Sequence, residues 1–75
     1  MERYKDIDGD SNVICYEIGT DSIQVEFIDG SVYLYTYQSA GKRNIEKMKK
    51  LAIAGNGLNS FIYWNVWKEY AAKLR

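Results

Sequence analysis

Histidine and proline are both missing from this sequence of 75 residues, and cysteine occurs once, at Cys15. The lack of histidine removes the side chain that most often serves as a general acid–base or as a ligand of a transition metal. A single cysteine can form no internal disulfide and has no second cysteine to share a metal site. These absences argue against catalysis, and we expect a non-enzymatic protein without a cofactor or a bound metal.

Neither sign of charge is in excess, because ten basic and ten acidic residues give a net charge of zero. Nucleic-acid-binding proteins are usually basic, so only a local basic patch would support that function here. No apolar run approaches the roughly 18 residues of a membrane span, and the polar N-terminus does not resemble a signal peptide. We therefore expect a cytoplasmic protein that contacts no membrane, in agreement with its sparse use of cysteine.

The residues that are present belong to a folded globule: 47% are hydrophobic, with seven tyrosines and two tryptophans. The length allows one domain, which we place at residues 11–75, after a flexible polar lead-in at residues 1–10. Within the lead-in, Asp6, Asp8 and Asp10 follow the spacing of a calcium loop. The glycine that such a loop needs is absent and no helices flank it, so we interpret the segment as a solvated acidic turn.

A β-hairpin is the clearest local signal, since two runs rich in β-branched and aromatic residues flank Asp29-Gly30 within residues 23–37. Residues 13–18 alternate in the same way and precede the hairpin after a short turn. Short turns pair sequential strands with their neighbours, so the pattern predicts a three-stranded antiparallel meander.

The second half of the chain has a helical period. Ile45, Met48 and Leu51 share one side of a predicted helix over residues 43–54, which Gly55 ends. A second helix is predicted from about residue 59 to residue 74. The expected fold is therefore α+β with two layers, in which both helices follow the meander and pack on one face of it.

Three short segments form a pattern that covers most of the chain. They are Ser-Asn-Val-Ile at residues 11–14, Phe-Ile-Asp-Gly-Ser-Val-Tyr-Leu-Tyr at residues 27–35 and Gly-Leu-Asn-Ser-Phe-Ile at residues 57–62. This pattern resembles the KTSC domain, found at the C-terminus of some lysyl-tRNA synthetases and as stand-alone bacterial proteins. The resemblance implies a small α+β fold of unknown function for which RNA binding has been suggested, and it supplies no catalytic residues.

The hairpin allows two registers. A two-residue turn at Asp29-Gly30 places Val25 opposite Leu34 and directs the tyrosines to the outer face. A three-residue loop with Gly30 in a left-handed conformation places Val25 opposite Tyr33 and directs the tyrosines inward. Turn statistics favour the first register. Sequences of the resembled family often carry a polar residue at the position of Leu34, which favours the second register, and we expect the tyrosines to face inward.

The register decides which side chains the sheet offers to a partner. Outward-facing Tyr33, Tyr35 and Tyr37 would resemble the platforms on which single-stranded RNA stacks its bases. Outward-facing Val32 and Leu34 would instead form an apolar patch suited to a protein partner or a second copy of the chain. Both sets are therefore candidate contact residues.

Basic residues offer a second candidate site, because Arg43, Lys47 and Lys50 recur at i, i+4 and i+7 on one side of the predicted helix. Together with Tyr33 and Tyr35 they predict a module that binds RNA or single-stranded nucleic acid weakly through its phosphates. The alternative is a protein-interaction or self-association module that uses exposed apolar and aromatic residues, of which Trp64, Leu34 and Val32 are the candidates. Related sequences tend to be polar or basic at the position of Trp64.

Overall fold

Five antiparallel strands and three short to medium helices make up the computed structural model, which describes residues 1–75. The strands lie in the sheet in chain order, so every strand pairs with its sequence neighbours. This confirms a small α+β domain built on an antiparallel sheet, with two strands and one helix more than predicted. The strands are β1 Glu2–Arg3, β2 Val13–Ile18, β3 Ser22–Phe27, β4 Val32–Thr36 and β5 Ala72–Lys73, and the helices are α1 Tyr37–Ala40, α2 Lys42–Ala54 and α3 Leu58–Phe61.

The β3–β4 hairpin adopts the register in which Val25 lies opposite Tyr33 and Ile23 lies opposite Tyr35. Its loop has three residues, because the backbone N–H of Phe27 donates to the carbonyl of Ser31 and that of Gly30 donates to the carbonyl of Phe27, each at 2.9 Å. Gly30 has a φ of 87°, a value that favours glycine. The three-residue alternative is therefore the one found, and Tyr35 points into the core.

The core lies between this inner face of the sheet and the helices. Tyr35, Ile23, Ile45 and Leu58 are each 0% exposed and belong to one cluster of buried side chains. The hydroxyl of Tyr35 is buried without a hydrogen-bond partner. Burial also raises the pKa of this phenol far above its ordinary value, because the charged form would have to exist away from water.

Helix α2 agrees closely with the predicted helix at residues 43–54. Its buried residues are Ile45, Met48 and Ala52, which recur at intervals of three and four. Gly55 ends the helix in a left-handed conformation, and its N–H donates to the carbonyls of Leu51 and Ala52. The prediction of an apolar inner side and a basic outer side on this helix is confirmed.

The link between β4 and α2 contains the single helical turn α1. Thr36 and Ser39 explain it, because each side chain accepts a hydrogen bond from the other residue's backbone N–H. The turn carries the chain from the end of β4 to the start of α2 and places Ala40 in the core.

The predicted long helix over residues 59–74 is wrong beyond its first two turns. Helix α3 ends at Phe61, a π-helical turn follows at Ile62–Val66, and the chain then joins the sheet as β5. Helix propensity does not account for this departure, because residues 68–75 are mostly strong helix formers. The edge of β4 instead offers free hydrogen-bonding groups, which the segment satisfies. The N–H groups of Ala71 and Leu74 donate to the carbonyls of Leu34 and Val32, both at 2.7 Å.

Part of the segment predicted as a flexible lead-in contributes to the domain. Strand β1 pairs with β2, and the Tyr4 side chain is 4% exposed. The backbone N–H of Leu58, at the start of α3, donates to the Tyr4 hydroxyl at 3.2 Å. The N-terminal residues thus fix the position of the helix that leads to the C-terminal aromatic residues. None of the helices has the length and apolar character that crossing a membrane requires.

Candidate nucleic-acid interface

Three basic side chains on the outer side of α2 line one open hollow. Arg43, Lys47 and Lys50 are all exposed, and the hollow also contains Phe61 from α3 and Asn65 from the π-helical turn. The amide of Asn65 donates to the carbonyl of Phe61 at 3.0 Å, which holds this second wall in a helical arrangement. The structure therefore brings the three predicted basic residues together against a second element. We call this site the basic hollow, lined by Arg43, Asn44, Glu46, Lys47, Lys50, Phe61 and Asn65.

Glu46 is the only acidic residue in the basic hollow, and its charge is already compensated. Its carboxylate accepts a hydrogen bond from the Tyr37 hydroxyl at 2.6 Å and pairs with the Lys49 ammonium at 2.9 Å. The hydrogen bond from Tyr37, followed by the one from Lys49, lowers the pKa of this carboxyl. The same bond raises the pKa of Tyr37, since it stabilises the protonated phenol.

The three basic residues themselves form no ion pair. The salt bridges of the molecule join Glu46 to Lys49, Glu26 to Arg75 and Glu17 to the N-terminal ammonium. A chain with a net charge of zero therefore carries a separate positive patch, because Arg43, Lys47 and Lys50 are left to water or to an external anion.

A group of exposed aromatic side chains adjoins the basic hollow along the π-helical turn. Tyr63, Trp64 and Trp67 are 61%, 78% and 48% exposed, and we call them the aromatic surface. The Tyr63 and Trp64 rings are nearly perpendicular, with centroids 5.3 Å apart, and Tyr63 and Trp67 are 6.2 Å apart. Trp64 follows Phe61 by three residues in this helical segment, a spacing at which side chains are neighbours, so the aromatic surface borders the wall of the basic hollow.

An apolar groove of about 340 Å³ is lined in part by two members of the aromatic surface. The hairpin loop and the π-helical turn form its walls, and Ile28, Tyr63 and Trp67 line it. Ile28 is 64% exposed although it lies among apolar neighbours. Exposed apolar side chains in one contiguous patch are typical of a contact surface.

The predicted contact residues on β4 need correction. Tyr35 is 0% exposed and cannot stack on a nucleotide, since it fills the core opposite Ile23. Tyr33 is half-buried between Phe27 and Tyr70, with ring centroids 5.8 Å and 4.8 Å from theirs. The sheet therefore offers no open tyrosine platform, and neither residue belongs to the basic hollow.

The apolar patch predicted on the opposite face of the hairpin is also largely closed. Val32 is 4% exposed, because the C-terminal residues add a strand beside it: its N–H donates to the carbonyl of Arg75 at 3.1 Å. Leu34 is half-buried next to Ala72 of β5. Of the predicted protein-contact residues, only Trp64 is fully exposed.

Tyr63, Trp67, Phe61 and Asn65 were not predicted as site residues. The first two share a side with Ile62 and Val66 in the helix predicted over residues 59–74, a side that such a helix would bury, so a helical period does not indicate the π-helical turn that exposes them. A signal for the other two exists, since Phe61 and Asn65 are four residues apart and therefore share a helical face. What the sequence does not show is that this face lies beside α2.

The acidic loop with the spacing of a calcium site is a turn closed by its own hydrogen bond. Asp6 has a φ of 52°, and its carboxylate accepts a hydrogen bond from the N–H of Ser11 at 3.1 Å. The structure contains no group of three His, Cys, Asp or Glu side chains that could hold a metal ion. The contacts of this loop are those of a local turn.

Comparison with known proteins adds no relative to this picture: no family model, no curated protein and no solved structure matches the chain.

Proposed function

We propose that this protein is a non-enzymatic module that binds nucleic acid weakly through phosphate contacts in the basic hollow. The observation that carries the proposal is the uncompensated charge of Arg43, Lys47 and Lys50 on one face of α2. The resemblance to the KTSC domain, for which RNA binding has been suggested, supports the same class of partner.

The spacing of the three cations fits an extended chain of phosphates. Residues 43 and 50 are seven positions apart, which corresponds to about 10 Å along a helix. Such a row allows two or three phosphate contacts and gives no base specificity by itself. Because the net charge of the chain is zero, attraction over long distances is small, and the affinity rests on these local contacts.

Salt dependence tests the proposal. For single strands the logarithm of the binding constant falls with the logarithm of salt concentration, with a slope of about −0.7 per phosphate contacted. Two or three contacts therefore predict that affinity falls about 7- to 20-fold between about 50 mM and 200 mM salt. The measurement is fluorescence anisotropy of a labelled RNA of about ten nucleotides at both concentrations.

A variant with all three residues replaced by glutamine, Arg43→Gln, Lys47→Gln and Lys50→Gln, should lose at least about tenfold in affinity and most of its salt dependence. Glutamine keeps the helix propensity of the exposed positions, so the fold should be unchanged. The matched control is Lys5→Gln, which removes an exposed positive charge outside the basic hollow. Lack of binding at low salt, or equal losses in the control and the triple variant, would refute the proposal.

A second candidate function is self-association through the aromatic surface and the apolar groove. The observation in its favour is the exposure of Ile28, Tyr63 and Trp67 around one groove. Aromatic side chains are enriched at the centres of protein interfaces, where they are buried together. A second copy of the chain is the simplest partner that would cover all three.

Light scattering at two protein concentrations tests this candidate. Self-association predicts that the average mass rises with concentration and that Ile28→Ser lowers it towards the monomer. Ile53→Ser is the matched control, because Ile53 is similarly exposed, at 60%, but does not line the groove. A monomer at the higher concentration would eliminate the candidate.

A further inference from the structure

We infer that the nucleic acid bound at the basic hollow is single-stranded and that one of its bases stacks on the indole of Trp64. This inference rests on the proposed function, because the phosphates in the hollow would bring the base to the indole. It extends the proposed function by specifying that the nucleic acid is single-stranded and that Trp64 is the side chain that distinguishes a single strand from a duplex.

The exposure of Trp64 is the first observation. At 78% exposed it is the most open of the large apolar side chains, so at least one face of its ring is open to solvent. Its contact with Tyr63 is nearly perpendicular, at 88°, so the two rings do not stack on each other. An indole with a free face is the type of group on which an unpaired base stacks.

The position of Trp64 is the second observation. Phe61 and Asn65 form one wall of the basic hollow, and Trp64 lies between them in sequence and next to Asn65. Phe61 and Trp64 are three positions apart in a helical segment, a spacing at which side chains are neighbours with Cβ atoms about 5–6 Å apart, so Trp64 lies beside this wall. The base of a nucleotide whose phosphate is held by α2 would therefore have the indole within its reach.

Charge complementarity identifies the occupant. The basic hollow holds three cations without an ion pair, while its one carboxylate is bound to Tyr37 and Lys49. A protein segment that carried only apolar groups would leave these cations unpaired, whereas a nucleotide strand supplies both an anion and an aromatic ring. The combination of cations with a stacking ring is how proteins bind single strands without reading sequence.

A duplex fits the same surface less well. Its phosphates could contact Arg43, Lys47 and Lys50, but its bases are already paired and stacked within the helix. Only the phosphate part of the interaction would remain, so Trp64 should discriminate between the two forms. We therefore expect its substitution to weaken single-strand binding and to leave duplex binding unchanged.

Fluorescence allows the test, since the chain has only two tryptophans. In a Trp67→Phe background Trp64 is the sole indole, and the probes are a single-stranded RNA of about ten nucleotides and a blunt-ended duplex formed from that strand and its complement. The single strand should quench Trp64 emission at saturation. Trp64→Leu, measured by anisotropy, should weaken single-strand binding about 5- to 150-fold, the range for loss of one stacked base. Trp64→Phe should retain most of the affinity.

Trp67→Leu is the matched control, because Trp67 belongs to the aromatic surface but lines the apolar groove instead of the basic hollow. Single-strand binding in this control should stay within about twofold of the parent affinity if stacking is confined to Trp64.

The possible failures are distinguishable. Binding to single strand and duplex with equal affinity, or a Trp64→Leu variant that binds the single strand as well as its parent, would overturn the stacking inference but leave the phosphate-binding proposal intact. Equal losses in Trp64→Leu and Trp67→Leu would also overturn it. Lack of binding to either probe would overturn both, and a change in Trp64 emission with protein concentration alone would assign the indole to self-association.

Discussion

Two groups of aromatic residues in this protein differ in their exposure to solvent. Tyr33 and Tyr35 on β4 lie at the inner face of the sheet, whereas Trp64 and Trp67 on the C-terminal turn are exposed to solvent. Both groups lie in runs of branched and aromatic residues. The difference shows that aromatic content by itself does not identify a contact surface, because exposure depends on which element covers the ring.

The cause differs between the two groups. On β4, the three-residue loop shifts the register of the hairpin by one residue, and a shift of one residue exchanges the two faces of a strand. On the C-terminal turn, the π-helical geometry and the return of the chain to the sheet at Ala72 prevent a long helix from forming. Trp64 and Trp67 consequently remain outside the core.

Truncation of one residue from each group should give the largest contrast. Tyr35→Ala leaves a cavity in the core and should lower the free energy of unfolding by about 3–5 kcal/mol, or unfold this small domain. Trp64→Ala removes an exposed ring and should change it by about 0.5 kcal/mol or less. Urea denaturation followed by far-UV circular dichroism measures both. Similar losses for the two variants would contradict the burial described here.

Much of the fold could be predicted from the sequence because local signals determine it. A window of a few residues is enough to recognise each signal: the alternation in β2 and β3, the Asp29-Gly30 loop and the spacing of the buried residues in α2. The two end strands could not be predicted, since each is only two residues long and depends on a pairing partner that is distant in sequence.

The candidate site was predictable only in part. The spacing of Arg43, Lys47 and Lys50 indicates one helical face, and the structure places them in one hollow. The contribution of Phe61 and Asn65 depends on how α3 packs beside α2, which no local pattern records. The predicted role of Tyr35 is wrong because the choice of hairpin register depends on the packing of a whole sheet face.

Removal of single hydroxyl groups should give a smaller contrast within the buried tyrosines. Tyr35→Phe deletes a buried hydroxyl that has no hydrogen-bond partner, so it should raise the free energy of unfolding by about 1 kcal/mol. Tyr4→Phe should lower it by about 1–2 kcal/mol, because the buried N–H of Leu58 loses its acceptor. The same urea experiment measures both free energies of unfolding. Changes of the same sign would show that the two hydroxyls do not differ in whether a hydrogen bond compensates their burial.

The smallest expected effect is the response of stability to alkaline pH. Burial raises the pKa of Tyr35 above that of an unfolded tyrosine, so its contribution to stability is complete below about pH 10 and is lost as the pH rises further. At about pH 10 the loss should be only a few tenths of a kcal/mol, since the unfolded phenol is then half ionised. Urea denaturation of the parent and of Tyr35→Phe between pH 8 and about pH 11 isolates this contribution, because the variant lacks the ionisable group. If the two proteins lose stability in parallel, Tyr35 ionises as easily in the folded state as in the unfolded one. That result would place its ring in contact with water and would remove the contrast between the buried Tyr35 of β4 and the exposed indole of Trp64.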